Sequence, residues 1–79
     1  MKIPRDVSAA KLINLLKHYG YQIIRQTGSH IRLSKNIDDY EHNITVPNHK
    51  PIKIGTLQNI ANDVCSVNNL SLDEFYNQL

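Results

Sequence analysis

The sequence predicts an α+β fold of order α-β-β-β-α, a three-stranded antiparallel sheet with helices on one face and a short extra C-terminal helix. Three observations predict it. Leu12, Leu15, Leu16 and Tyr19 recur at i, i+3, i+4, i+7, and so do Leu57, Ile60, Ala61 and Val64; each is one apolar stripe at helical spacing. Between these stripes, His30 to Lys35 and Asn43 to Val46 alternate polar and apolar residues, the pattern of half-buried strands. Near the end, Ser71-Leu72-Asp73-Glu74 is a capping box, with Leu70 and Phe75 spaced for a hydrophobic staple.

Each element follows in order. Ser8 can cap the first helix, expected over 8–19. Lys11, Asn14, Lys17 and His18 fall on its polar side. Gly20 stands where a left-handed C-terminal cap belongs. Tyr21 to Thr27 mixes aromatic and β-branched residues and reads as a first strand. Gly28-Ser29 is a hairpin signal, because glycine reaches positive φ without penalty. The second strand begins at His30. "NIDDYEH" (36–42) reads as a polar, acidic connection, with His42 at the start of the third strand and on the surface. That strand ends at Pro47, which cannot continue a central strand. "NHKP" (48–51) reads as a loop, the second helix covers 53–65, and Leu72, Phe75, Tyr76 and Leu79 form one face of the last helix. Two helices on one sheet face bury these stripes most simply, and leave the other face for water or a partner.

Composition sets bounds. The 79 residues read as one domain, 1–79, of a size that buries only about 60–65% of its unfolded surface. No apolar run approaches the roughly 18 residues of a membrane span, and no signal-peptide pattern follows Met1. One cysteine, Cys65, cannot form an internal disulfide, so the chain fits a reducing cytoplasm; Cys65 reads as a buried small hydrophobe. Four scattered histidines and that cysteine show no ligand spacing, so neither metal nor cofactor is expected. The net charge of +2 is uneven: residues 1–35 carry +6 and residues 36–79 carry −4. Such asymmetry suits a polyanionic partner for the first half.

Register gathers charge. With a two-residue turn at Gly28-Ser29, Thr27 pairs with His30, Arg25 with Arg32, and Ile24 with Leu33. Ile24, Ile31 and Leu33 then face the helices, while Arg25, His30 and Arg32 share the open face. Like charges opposite each other cost stability, so an anion is the natural occupant between the two arginines.

At this point the chain resembles the HicA mRNA-interferase toxins of bacterial and archaeal type II toxin–antitoxin systems. "SAAKLINLLKHYGYQIIRQTGSHIRL" is similar to the family's first helix, first strand and Gly-Ser-His turn. "ITVPNHKPIKIGTLQNIANDV" is similar to its third strand, Val-Pro-x-His step and Gly-Thr-Leu-x-x-Ile helix, and "LSLDEF" to its usual ending. The resemblance implies a fold like that of double-stranded-RNA-binding domains. It also implies ribosome-independent cleavage of mRNA and neutralisation by a HicB-type antitoxin, with DNA engaged only indirectly through that antitoxin. The family's catalytic histidine falls on His30 within Gly28-Ser29-His30.

Histidine titrates near neutrality and can move the protons of a metal-independent RNA cleavage. Arg25 and Arg32 would stabilise the charge that develops. Lys50, Lys53 and Thr56 precede or open the second helix, where an N-terminus with nearby lysines suits phosphate. Lys11 and Lys17 are weaker candidates, and His18 reads as surface. His49, in the Pro-x-His step, is open between a loop residue and a contact to RNA or antitoxin. Two rival readings use the same surface: a non-catalytic RNA-binding module, and a protein-interaction domain whose open sheet face docks an antitoxin-like chain.

Overall fold

The computed structural model describes residues 2–79. Helix α1 (Ala9–His18) is followed by strands β1 (Gln22–Thr27), β2 (His30–Ile37) and β3 (Tyr40–Pro47), then helices α2 (Ile54–Asn68) and α3 (Leu72–Asn77). The order is the expected α-β-β-β-α with an extra C-terminal helix, and the sheet is antiparallel in the order β1-β2-β3. Ser8 caps α1, its hydroxyl accepting from the Lys11 N–H at 3.1 Å. Ser71 caps α3 in the same way through the Glu74 N–H. Each cap satisfies an N–H that the helix itself cannot.

Both long helices pack on β3. The core holds Leu12, Leu15 and Leu16 of α1, Leu57, Ile60, Ala61 and Val64 of α2, and Phe75 and Tyr76 of α3. The sheet contributes Ile31, Leu33, Ile44 and Val46, all on one face. Cys65 lies in the core as expected. β1, by contrast, is exposed along its whole length.

Three expectations are corrected. First, "NIDDYEH" is not a loop: β2 runs to Ile37 and β3 starts at Tyr40, joined through Asp38-Asp39 alone. Asp38 takes a positive φ of 54°, which aspartate tolerates better than most residues, so the acidic pair makes a tight hairpin.

Second, His42 is not on the surface but 3% exposed. Its Nδ1 lies 2.6 Å from the Tyr21 hydroxyl and its Nε2 3.0 Å from Asp63 Oδ1. Lys35 Nζ donates to Asn68 Oδ1, and Asn68 Nδ2 donates to the Tyr21 oxygen at 2.9 Å and to the Val64 carbonyl. One assignment gives every group in the chain a role: Tyr21 donates to His42 Nδ1, and His42 donates from Nε2 to Asp63. The network ties β2, β3 and α2 together, with buried polar groups satisfied as burial requires.

Third, Ile24 does not face the helices. The register shifts between Ile23 and Arg25, so Ile23 rather than Ile24 is paired with Leu33. Ile24 is the extra residue of a β-bulge and is 54% exposed. Beyond the bulge, toward the turn, Arg25 pairs with Arg32 and Thr27 with His30, as the two-residue turn requires.

Candidate functional site

The site is built on the open face of the sheet, at the end nearest the Gly28-Ser29 turn. Gly28 adopts φ 56°, a conformation that costs glycine nothing and lets the chain reverse within two residues. His30 therefore starts β2 with its side chain on the solvent face, since Ile31 and Leu33 are buried beneath. Two rows cross the sheet here. One is Thr27, His30 and Pro47; the next is Arg25, Arg32 and Thr45.

Arg25, Thr27, His30, Arg32 and Thr45 line one open depression of about 220 Å³. Neither arginine is salt-bridged to a carboxylate among the described residues, where the one such pair is His42 with Asp63. Two unpaired guanidiniums facing each other favour an anion between them. The acidic hairpin tip at Asp38-Asp39 stands at the far end of β2, about 25 Å away at the rise of an extended strand. The arginine pair and the acidic hairpin tip thus stand at opposite ends of the β2 strand.

The connection after β3 is fastened to the same end. The Asn48 N–H donates to the Ser29 carbonyl at 2.6 Å, so "NHKP" is bound to the Gly-Ser-His turn. Lys50 and Lys53 follow on this connection, both exposed. Lys53 is the N-cap of α2, and its side chain makes no capping bond. Thr56 is half-buried in the first turn of α2. Lys50, Lys53 and Thr56 do not line the depression; they form a second group of candidates beside it. His18 is exposed on the last turn of α1. Among the described residues, no cluster of histidine, cysteine and carboxylates could hold a metal ion.

Thr45 escaped the sequence reading. Its signal was present, because Asn43-Ile44-Thr45-Val46 puts Thr45 out of phase with the buried Ile44 and Val46 and hence on the open face.

A family model described as the HicA toxin of bacterial toxin–antitoxin systems matches residues 9–64. The chain belongs to the HicA toxin family. No curated protein and no solved structure matches it. The matched span runs from the start of α1 to within α2. It therefore holds every lining residue of the depression and the whole connection after β3. As a member of a HicA family, the chain is a toxin of the kind that is paired with an antitoxin. No helix among the described residues is long and apolar enough to cross a membrane.

Proposed function

We propose that this HicA-family toxin is an endoribonuclease that cleaves mRNA without the ribosome and is neutralised by a HicB-type antitoxin. The observation that carries the reading is the depression itself. It joins one histidine to two arginines that have no carboxylate partner among the described residues, and it lies on the sheet face opposite the buried Ile31, Leu33, Ile44 and Val46.

RNA supplies its own nucleophile, the 2′-hydroxyl. Cleavage requires that proton to be taken, the 5′-oxygen to be protonated, and negative charge on the phosphorane to be held. His30 is the general acid/base. Arg25 and Arg32 bind the non-bridging oxygens, where charge grows in the transition state. Gly28 and Ser29 let the backbone approach the strand closely. Lys50, Lys53 and the first turn of α2 at Thr56 position the flanking phosphates.

His30→Ala is the test. Purified variant should leave RNA uncut while binding it with near wild-type affinity, and its expression should not arrest growth. Cleavage at the wild-type rate would remove His30 from the chemistry. If the wild type itself binds RNA without cutting it, the protein is a binding module. Reversing Lys50 and Lys53 together to Glu should weaken RNA binding and lower the slope of log affinity against log salt by about 2, since each lysine releases about one counterion from the RNA. An unchanged slope would leave those lysines without a role in RNA binding.

A further inference from the structure

Transesterification of RNA moves two protons, at two oxygens on opposite sides of phosphorus. The depression offers one imidazole for this work, His30. Its other lining residues are two arginines and two threonines, side chains that rarely serve as general acids or bases. This inference rests on the ribonuclease reading and asks which residue moves the second proton.

Of the other three histidines, His42 is buried and bonded through both ring nitrogens. His18 is at the C-terminal end of α1, while the N-terminal end of that helix is the one that reaches the connection after β3. His49 remains. It is exposed, and its backbone is held at the His30 end of the sheet. Pro47 is the cross-strand partner of His30. The next residue, Asn48, donates its N–H to Ser29, the His49 N–H returns to the Pro47 carbonyl at 2.9 Å, and the His49 carbonyl accepts from the Ala9 N–H at 3.1 Å. Paired Cα atoms are about 5 Å apart and two further residues span at most about 7 Å. The His49 Cα therefore lies within about 12 Å of the His30 Cα, a span that two imidazoles can close on one phosphate. His49 is the one histidine on this connection; its backbone is held there, while its side chain lies outside the lining of the depression. The charged residues along the chain here are Lys50 beside His49, Lys53 further along the connection, and Arg5 and Asp6 on the segment leading into α1, whose Ala9 N–H bonds the His49 carbonyl.

We propose that His49 is the second catalytic residue, the general acid of the cleavage. His30 takes the 2′-hydroxyl proton as the 2′-oxygen bonds to phosphorus. The bond from phosphorus to the 5′-oxygen breaks, and the His49 imidazolium gives that oxygen its proton. The products are a 2′,3′-cyclic phosphate and a free 5′-hydroxyl. His30 ends protonated and His49 neutral, and solvent resets both.

The experiment uses two oligonucleotides with a single cleavable ribonucleotide, one with the natural 5′-oxygen and one with sulfur in its place. A thiolate leaves without a proton. His49→Ala should lose at least about 100-fold on the oxygen substrate and recover most of it on sulfur, whereas His30→Ala should stay impaired on both. The pH–rate profile of His49→Ala should keep its acid limb and lose its alkaline limb. His49→Gln should behave alike. Both variants should melt with the wild type, because every bond of His49 to the scaffold is a backbone bond. A wild-type rate for His49→Ala on oxygen would overturn the proposal, as would an equal loss on both substrates. If the wild type cuts neither RNA, the ribonuclease reading falls; if it cuts through His30 and His49→Ala is unimpaired, only the role of His49 falls.

Discussion

Arg25 and Arg32 face each other across neighbouring strands with no carboxylate paired to either among the described residues. Such a pair opposes folding, by a few tenths of a kcal/mol up to about 1 kcal/mol. On the proposed ribonuclease reading, the RNA phosphate offsets that cost when it binds between them. Stability and activity should therefore move in opposite directions. Arg25→Ala should leave the melting temperature unchanged or raise it slightly, while RNA cleavage falls on the order of 10²-fold through loss of transition-state charge stabilisation. Thermal melts and single-turnover cleavage on the same preparation check both halves. A variant that is less stable but fully active would mean that Arg25 serves the sheet rather than the substrate.

At the scale of the element, the hairpin of β1 and β2 was legible near its turn and not beyond it. Turn length and alternation place Arg25, His30 and Arg32 correctly, because side-chain period and pairing are rigidly linked over those few residues. The bulge at Ile24 breaks that link, and neither glycine nor proline marks it. Tertiary packing decides it: β1 is exposed along its whole length, so no buried face enforces strict alternation there. His42 was misread for a different reason. It is in phase with Ile44 and Val46, and extending the alternation back by two residues would have placed it inside. The acidic run around Asp38 and Asp39 concealed a strand behind the composition of a loop. The polar chain through His42 joins three elements, so its loss should be felt globally. Tyr21→Phe removes the hydroxyl that accepts from Asn68 and bonds His42 Nδ1, leaving buried partners unsatisfied. That should cost about 1–3 kcal/mol, lowering the melting temperature by about 4–8 °C per kcal/mol in a domain of this size. Cleavage at a temperature well below the transition should persist, since Tyr21 is on the opposite face from the depression. A melting temperature unchanged by Tyr21→Phe would remove the network from the energetics of the fold.

At the scale of the whole molecule, burial that makes the core also sets a limit on the alkaline side. Desolvation raises the Cys65 thiol above its ordinary 9.0. Desolvation likewise leads the rise of the Tyr21 and Tyr76 hydroxyls above 10.0; at Tyr21 the hydrogen bond from Asn68 opposes it and the Asp63 carboxylate adds to it. In each case the folded protein favours the protonated form. The stabilisation is complete below the unfolded value and declines as pH rises through it, because the unfolded chain then releases a proton that the folded chain keeps. Cys65 acts first, since its unfolded value is lowest. Denaturant unfolding between about pH 8 and pH 10 should show stability falling with pH, with a slope of at most about 1.4 kcal/mol per pH unit for each group. Cys65→Ala should start from a lower stability, having lost packing, yet decline less steeply over the first part of that range. The same burial should protect the thiol from alkylation in the folded state, so labelling at mildly alkaline pH would track unfolding. Equal slopes for the two proteins, or prompt labelling of the native one, would show that the Cys65 thiolate is not excluded from the fold.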